Sequence, residues 1–256
     1  MLRIVVAGAA GRMGRNVIRA IAESDQFTLT AVLVRSGTVL HRAAEETSNV
    51  VVTDDPVSAV FAADAIVDFS TPQTSVQLSA LAAQKHVAHV IGTTGFSADQ
   101  ELQIEAAARD TAIVKAPNMS VGVTLLANLV KQTAKALPAF DIEILEMHHR
   151  MKVDAPSGTA LLLGRAAAEG RGAPLRSSDA RHGARESGAI GFASLRGGTV
   201  VGEHQVIFAG LEERIMLSHT AEDRTIFARG ALLAAQWAQG RPSGLYNMND
   251  VLGLPD

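Results

Sequence analysis

The stretch Arg3–Gly14, RIVVAGAAGRMG, decides the fold of the N-terminal half of this chain. Arg3–Ala7 is an apolar, β-branched run typical of a buried strand, and Gly14–Glu23 carries apolar residues at helical spacing. Between them lies a GxxGxxG motif that begins at Gly8. Glycines at this spacing allow a sharp turn and let the backbone approach a pyrophosphate, while the first N–H groups of the helix face the phosphates. The motif predicts a dinucleotide site; a tight strand–helix turn that binds nothing is the alternative.

Strand-like runs and helical patterns alternate as far as about residue 119. The predicted strands are Thr28–Val34, Val50–Thr53, Ala65–Phe69, Ala88–Ile91 and Ala112–Ala116, and the predicted helices include Thr74–Gln84 and Ala98–Arg109. Strands joined through helices form right-handed crossovers and a parallel sheet. We therefore predict an α/β fold with a Rossmann-type parallel-sheet domain.

The pattern changes near Asn118, which predicts a second domain. Its predicted elements are helices at Val121–Leu137 and from Ser157 onward, strands at Asp141–Met147, Gly191–Leu195, Val200–Phe208 and Arg214–Ser218, and a mobile loop over residues 170–188. A last helix is predicted at Thr225–Ala238. This order predicts a central α+β substrate domain with a mixed sheet over residues 120–228, while residues 1–119 and 229–256 form the dinucleotide-binding domain.

The composition excludes several classes of protein. Of 256 residues, 47% are hydrophobic and 19% are charged, which excludes a disordered chain. The formal net charge of −3 argues against general binding to nucleic acids or anionic membranes, and no apolar run approaches the ~18 residues of a membrane span. The chain has no cysteine, so it has no disulfide, thiolate metal site or cysteine nucleophile. We expect a cytoplasmic globular protein.

The end of the second predicted strand bears on the type of cofactor. Sites selective for NAD usually place an acidic residue there, about 20 residues beyond the glycines. This chain has Arg35 and Ser36 instead, and Arg35 could pair with the 2′-phosphate of NADP. Arg12 could add a second cation. The sequence therefore favours NADPH over NADH, unless Arg35 is only a solvated loop residue.

The densest cluster of polar residues is EMHHRMKVDAPSGTA at 146–160. On a strand or on a helix, His148 and Lys152 would project together. Their charges favour a bound carboxylate, and either side chain can donate a proton. Ser157 or Thr159 can cap the helix that follows, and the N-terminus of that helix would bind a carboxylate. The alternatives are a solvated basic loop and a pair of structural histidines.

We expect no metal site. A zinc site from His148 and His149 is disfavoured because adjacent residues point apart and no cysteine or HExxH spacing assists them.

Two further loops, Gly92–Phe96 and Ala116–Ser120, follow strands of the predicted parallel sheet. Ligands bind at the carboxyl ends of such strands. The Thr and Asn side chains of these loops could therefore contact a nicotinamide carboxamide or a substrate, although ordinary turn chemistry explains them equally well.

Together these motifs resemble the 4-hydroxy-tetrahydrodipicolinate reductase (dihydrodipicolinate reductase) family of bacterial lysine biosynthesis. The resemblance runs over nearly the whole chain and rests on GAAGRMG, DFSTP at 68–72, GTTGF, APNMS, EMHHRMKVDAPSGTA, IGFASLRGGTVVGEH at 190–204 and SGLYNMNDVL near the C-terminus. The segment at 146–160 is highly specific, whereas the glycine motif is not. The resemblance implies a Rossmann domain closed by the C-terminal helix, a central substrate domain and a homotetramer built through the central sheets.

The resemblance also implies an activity and residue roles. NAD(P)H would deliver hydride to a cyclic imine dicarboxylate, giving tetrahydrodipicolinate with loss of water. His148 would be the catalytic acid/base and Lys152 the proton donor, while His149, Gly158 and Thr159 would contact the substrate carboxylates. The implied cofactor contacts are Gly8, Ala9, Ala10, Gly11, Arg12, Met13, Arg35, Gly92, Thr93, Thr94, Ala116, Pro117, Asn118 and Met119.

The sequence departs from the family pattern at Val34, where many relatives carry an acid, and at Met119, where an aromatic residue is frequent. Two other functions stay open on the residues alone. One is another two-domain NADP-dependent amino-acid dehydrogenase. The other is a non-catalytic nucleotide sensor, which would have no use for His148 and Lys152 as a proton-donor pair.

Overall fold

A computed structural model describes residues 1–38, 50–61, 63–178 and 183–255. They form two compact units: Met1–Val121 with Arg224–Gly253, and Gly122–Asp223 with the last residues from Leu254. The chain returns to the first unit at Arg224, ahead of the helix at 225–238, whereas the sequence places this return at residue 229, inside that helix. A helix that packs as one piece keeps all its residues in one unit. The assignment of one domain to cofactor and the other to substrate stays a prediction.

The helices and strands follow in chain order. The first unit begins with β1 (Leu2–Ala7), α1 (Arg12–Ala22), β2 (Phe27–Leu33), β3 (Val51–Thr53), α2 (Pro56–Val60), β4 (Ala65–Asp68), α3 (Pro72–Lys85), β5 (Ala88–Ile91), α4 (Ala98–Ala107) and β6 (Ala112–Lys115). Next come α5 (Val121–Ala136), β7 (Asp141–His148), α6 (Gly158–Gly170), β8 (Ser177–Ser178), β9 (Ile190–Arg196), β10 (Gly202–Ala209) and β11 (Arg214–Ala221). The chain then forms α7 (Thr225–Ala238), β12 (Gly244–Tyr246) and α8 (Met248–Leu252) in the first unit.

The first unit contains a seven-stranded parallel sheet in the order β12-β6-β5-β4-β1-β2-β3. The predicted Rossmann-type domain is thereby confirmed. The sequence does not predict β12, because three residues are too few to show a strand period. This strand is defined only by its pairing with β6, where Gly244 lies opposite Ala112.

Helices cover both faces of this sheet. Successive side chains of a strand point to opposite faces. Accordingly, Ile4 and Val6 lie in one apolar cluster with residues of α1 and α7, whereas Val5 and Ala7 lie in another with residues of α2 and α3. Loops at the carboxyl ends of the strands are therefore the parts of the sheet open to a ligand. Among the described residues, no helix combines the length and the apolar character needed to cross a membrane.

The second unit contains a five-stranded sheet in the order β11-β10-β7-β9-β8. β7 pairs antiparallel with β10 and parallel with β9, which confirms the predicted mixed sheet. Ile142 and Ile144 of β7 form an apolar cluster with Leu126 and Val130 of α5 and Leu163 of α6. The alternate residues of β7 point to the opposite face and are less buried.

The prediction that residues 170–188 form a single mobile loop is wrong in two places. Gly170 is the last residue of α6, and Ser177–Ser178 form β8, which pairs parallel with β9. A strand of two residues is defined only by its pairing with a neighbouring strand and is too short to show a pattern in the sequence. Residues 179–182 of this predicted loop lie outside the described residues.

Gly230 of α7 lies against backbone. A Cβ atom added there would lie 1.7 Å from the carbonyl oxygen of Met119. We expect Gly230→Ala to lower the free energy of unfolding by ~1–3 kcal/mol, the usual cost of overpacking, although alanine favours helices. Urea unfolding followed by circular dichroism measures the change. Gly158→Ala is the matched control, because its added Cβ would meet no described heavy atom within 4 Å beyond its chain neighbours and its own helix backbone. Equal losses in both variants would contradict the packing explanation.

Candidate active site

The glycine turn between β1 and α1 has the geometry that a dinucleotide site needs. Gly8 has a φ of +75°, and a Cβ atom there would lie 2.4 Å from the carbonyl oxygen of Phe69. A Cβ atom at Gly14 would lie 2.3 Å from the carbonyl oxygen of Gly8. Gly11 is the N-cap of α1 and has no side chain to occupy the first N–H groups of the helix. Those groups can therefore bind an anion.

A pocket of about 600 Å³ lies beside this turn, within the first unit. Four predicted cofactor residues line it, namely Gly8, Ala10, Gly11 and Arg35. The other predicted cofactor residues are not part of its lining: Ala9, Arg12, Met13, Gly92, Thr93, Thr94, Ala116, Pro117, Asn118 and Met119. Ala9 is fully buried.

The loop after β5 contains a polar atom that needs a partner. Thr93 Oγ1 is buried and has no hydrogen-bond partner among the described residues. Leaving a buried hydroxyl unpaired costs ~1–3 kcal/mol, so the atom fits a site that a bound polar group completes. β5 neighbours β4, whose following residues line the pocket. In the loop after β6, Met119 is buried, and Asn118 Oδ1 accepts a hydrogen bond from the N–H of Ser120 at 2.9 Å.

A buried hydrogen bond between Asp68 and His89 holds the loop after β4. Asp68 and His89 are both fully buried, and His89 Nε2 lies 3.3 Å from Asp68 Oδ2. Burial would raise the pKa of Asp68, but the hydrogen bond and charge of His89 lower it overall. The N–H of Ser70 donates to Asp68 Oδ1 at 2.8 Å. Asp68 therefore fixes the start of the Phe69–Thr71 segment that lines the pocket.

Sequence reasoning missed several residues of this pocket. Phe69, Ser70 and Thr71 follow β4, where the rule about strand carboxyl ends could have identified them. Asp54 follows β3 and also lines the pocket. The sequence shows no acid at the end of β2, but the pairing of β2 with β3 brings one from the neighbouring strand.

The basic cluster of the second unit begins at the end of β7. Glu146 and His148 share one face of the strand, and His148 Nδ1 forms a hydrogen bond with Glu146 Oε2. Arg196, which lies opposite His148 in the register of β9, donates to both oxygens of Glu146 at 2.9 Å. Glu146 is only 1% exposed. This is a buried, two-bond ion pair in contact with the predicted catalytic histidine.

The N-terminus of α6 adjoins the same cluster. Ser157 is its N-cap, as the sequence allowed, and its Oγ accepts from the N–H of Ala160 at 3.1 Å. The hydroxyl also lies 3.0 Å from His204 Nε2, and the ring of His204 stands edge-on to that of His148 with centroids 5.1 Å apart. Gly158, a predicted substrate contact, is the exposed first residue of the helix. Thr159 follows it.

The predicted strand or helix geometry between His148 and Lys152 is wrong. β7 ends at His148, and the chain then turns, with the N–H of Lys152 donating to the carbonyl of His149 at 3.1 Å. Two residues further along, Asp154 accepts from Lys152 Nζ at 2.8 Å through each carboxylate oxygen. A tertiary contact explains the turn: Arg196 donates to the carbonyl of Asp154 at 2.7 Å. His148 and Lys152 are nevertheless close enough that the charge of Lys152 lowers the pKa of His148.

Burial and charge set the protonation states of the cluster. Burial would raise the pKa of Glu146, but hydrogen bonds, the largest from Arg196, lower it to about 2. Burial lowers the pKa of His148, and Glu146 opposes this in part. Burial and the neighbouring His148 lower the pKa of His204 to about 4. At pH 7 Glu146 is therefore charged and His204 is neutral.

Glu146, His148 and His204 place three potential metal-ligand atoms within 4.8 Å of one another. Both oxygens of Glu146 already bind the guanidinium of Arg196, and Nε2 of His204 contacts the Ser157 hydroxyl. A cation would have to displace Arg196 and would meet its positive charge. The arrangement suits proton transfer better than metal binding. This cluster is not the His148–His149 pair considered in the sequence analysis, because the histidine that contacts His148 is His204.

The low pKa of His204 makes stability depend on pH. Folded His204 stays neutral down to about pH 4, while the unfolded chain takes up a proton near pH 6.5. Its contribution to stability is therefore complete above pH 6.5 and is lost as the pH falls toward 4. We expect His204→Gln to unfold more easily at pH 7 but to lose stability less steeply between pH 6.5 and 4. Urea unfolding across this range measures both slopes, and parallel curves for the two proteins would contradict this assignment.

Comparisons with known proteins agree on one family. The family models described as "Dihydrodipicolinate reductase, N-terminus" and "Dihydrodipicolinate reductase, C-terminus" match residues 2–119 and 122–252. A 4-hydroxy-tetrahydrodipicolinate reductase of Beijerinckia indica subsp. indica is 57% identical over 99% of this chain and 98% of the relative, and one of Chelativorans sp. is 55% identical over 99% and 96%. The structure of a dipicolinate-bound dihydrodipicolinate reductase from Paenisporosarcina sp. TG-14 matches with a TM-score of 0.81 and 26% identity, over 96% of this chain and 97% of that one. The chain therefore belongs to the dihydrodipicolinate reductase family.

Proposed function

We propose that the chain reduces 4-hydroxy-tetrahydrodipicolinate to tetrahydrodipicolinate, with loss of water, in lysine and diaminopimelate biosynthesis. Relatives that are 57% and 55% identical carry the name of this reductase. The observation that carries the proposal is the buried Glu146–His148 pair beside the N-terminus of α6, because it places a proton-transfer group next to an anion site. As a member of this family, the chain is a nucleotide-dependent oxidoreductase.

The pyridine nucleotide is proposed to bind in the pocket of the first unit, with NADPH preferred to NADH. When bound, the nicotinamide supplies the hydride. Gly8 and Gly11 would let a pyrophosphate approach the N-terminus of α1, and Arg35 and Ser36, which line the pocket, would hold a 2′-phosphate. Asp54 lines the same pocket and would suit ribose hydroxyls, which supports NADH as a second cofactor.

The remaining cofactor contacts are proposed on the family's pattern. Thr93 Oγ1, which is buried without a described partner, supports a cofactor contact from the loop after β5. The loop after β6 is its neighbour, because β6 pairs with β5. The residues assigned this role are Ala9, Ala10, Arg12, Met13, Gly92, Thr93, Thr94, Ala116, Pro117, Asn118 and Met119. Ala9 and Met119 are buried, so their assignment rests on the family's pattern alone.

The substrate carboxylates are proposed to bind at the N-terminus of α6. The N–H groups of Gly158 and Thr159 lie in the first turn of that helix, where an anion is stabilised by the helix dipole. Lys152 would add positive charge, and His149 would add a hydrogen-bonding group. A dicarboxylate suits this arrangement, and the related structure from Paenisporosarcina sp. TG-14 holds dipicolinate, a dicarboxylate.

Proton transfer is assigned to His148 and Lys152. Loss of the 4-hydroxyl group as water gives a conjugated imine, and its reduction adds a hydride to one carbon and a proton to its neighbour. Lys152 would donate this proton, and His148 would act as acid/base through Nε2, since its Nδ1 is engaged by Glu146. Fixed cations and helix N–H groups would offset the negative charge that develops on the imine and carboxylates.

A homotetramer in the cytoplasm is also proposed. The face of the second unit's sheet that points away from α5 and α6 carries exposed apolar residues. Leu195 is 48% exposed and Met216 is 59% exposed. Contact between such faces of two copies would bury them. Mass photometry of the purified protein distinguishes a tetramer from smaller states.

A direct assay separates this reductase from the two other functions. It measures consumption of NADPH, and separately of NADH, with freshly generated product of the preceding synthase as substrate. Turnover with this compound supports the reductase. Turnover only with an amino acid would indicate an amino-acid dehydrogenase, and binding of nucleotide without any turnover would indicate a sensor.

Removal of the proposed proton donor tests the chemistry. We expect Lys152→Ala to lower kcat by at least ~100-fold, the usual scale of lost general-acid catalysis, with NADPH affinity nearly unchanged. Steady-state kinetics and a nucleotide titration measure the two quantities. Lys135→Ala removes an exposed lysine near the end of α5 and should leave both unchanged. Near-normal turnover of Lys152→Ala would remove Lys152 from the reaction.

Removal of Arg35 tests the cofactor preference. We expect Arg35→Ala to weaken NADPH binding by ~1.5–3 kcal/mol, the scale of a charge-assisted bond, and NADH binding by much less. Isothermal titration calorimetry with each nucleotide measures the difference. Arg109→Ala, which removes an exposed arginine just after α4, is the matched charge control. Equal losses for both nucleotides in Arg35→Ala would refute the 2′-phosphate contact.

A further inference from the structure

We propose that Glu146 is a positioning residue, which fixes the ring orientation and the proton of His148 while Arg196 holds its carboxylate in place. This role rests on the function proposed above for His148.

The hydrogen bonds at Glu146 determine which nitrogen of His148 carries the proton. An ionised carboxylate only accepts hydrogen bonds. His148 Nδ1, which contacts Glu146 Oε2, must therefore be the protonated nitrogen, and Nε2 of the neutral ring is left bare. Gly202 lies beside that nitrogen, where a Cβ atom would be 3.1 Å from Nε2. A glycine at this point leaves Nε2 open to a proton or a substrate atom.

Arg196 makes Glu146 rigid and links it to the loop that carries Lys152. Its two terminal nitrogens each donate to one oxygen of Glu146 at 2.9 Å, a paired geometry that restricts rotation of the carboxylate. The N–H of Ser157 donates to Oε1 at 3.3 Å. Arg196 also holds the carbonyl of Asp154 at 2.7 Å. The carboxylate of Glu146 thus joins the histidine, the lysine loop and the cap of α6.

Glu146 is the negative group among those that act on His148. The facing groups are Glu146 on β7, Arg196 on β9, His204 on β10 and Lys152 in the loop after β7. Burial, Lys152 and Arg196 lower the pKa of His148, whereas Glu146 raises it. Loss of the Glu146 charge should therefore make His148 harder to protonate, because burial, Lys152 and Arg196 would then lower its pKa without opposition from Glu146.

The test compares Glu146→Gln with Glu143→Gln. Glu143 lies on the opposite face of β7 and pairs with Arg185 at 3.2 Å, so its substitution removes the same charge outside the site. In protein with ¹⁵N-labelled histidine, NMR reports the tautomer and the pKa of His148, whose signal is identified by its loss in His148→Asn. The same variants are assayed for kcat between pH 5 and 9, and for NADPH affinity.

In Glu146→Gln we expect the neutral ring of His148 to lose its preference for a proton on Nδ1. We also expect the proton affinity of His148 to fall by ~10-fold or more, the scale set by one close opposite charge. Its kcat should fall ~10–100-fold, as for loss of a group that orients an active residue, and the limb of the pH–rate profile that reports His148 should move to lower pH. NADPH affinity should not change. Glu143→Gln should match the unsubstituted protein in all four measurements.

A wild-type tautomer, His148 pKa and pH–rate profile in Glu146→Gln would overturn the proposal, even if that variant were less stable. Should Glu146→Gln fail to fold, Glu146→Asp serves instead. It keeps the negative charge, but its side chain is one methylene shorter, so the carboxylate lies farther from His148 Nδ1. Wild-type tautomer and kcat in folded Glu146→Asp would likewise overturn the proposal. Normal turnover of His148→Asn would instead refute the proposed function of His148 and would leave the NMR result for Glu146 standing.

Discussion

The buried carboxylate of Glu146 is the constraint on which the site of the second unit depends. A charged group that is 1% exposed is tolerated only when it is paired and hydrogen-bonded. Its partners come from three segments: His148 on the same strand, Arg196 on β9 and the N–H of Ser157 before α6. Satisfying one carboxylate therefore brings together an acid/base group, a cationic clamp and a helix N-terminus.

The first unit also has a buried, hydrogen-bonded carboxylate, at the end of β4. The interior of its sheet is apolar, but Asp68, the last residue of the strand, is fully buried and pairs with His89 of β5. Asp68 also binds the N–H of Ser70 and so holds the segment that lines the nucleotide pocket. In each unit a buried carboxylate at the end of a central strand fixes the loops that follow, so that the loops are ordered by the same interactions that order the sheet.

Much of the fold and part of the site follow from local patterns. The β1–glycine–α1 turn and a cap at Ser157 or Thr159 were predicted because they depend on residues close together in sequence. The parallel and mixed sheets were predicted from the order of strands and helices along the chain, although their pairing joins distant strands. The geometry after His148 was not. The sequence pattern predicts that a strand or a helix continues to Lys152. Instead the chain turns after His148, and Arg196 donates a hydrogen bond to the carbonyl of Asp154. The bond comes from a strand about 40 residues away, which no local pattern encodes.

The chemical groups of this protein and its family can be read from local motifs: the glycine turn, the absence of an acid at the end of β2, and the His148–Lys152 segment. Which of these groups lie in contact depends on the pairing of distant strands. Strand pairing brings Asp54 into the pocket beside Arg35, and it brings Arg196 and His204 to Glu146 and His148. The physical reason is that register across a sheet is set by the burial of whole faces and by hydrogen bonds between distant strands, so it is a property of the packed chain and not of any one segment.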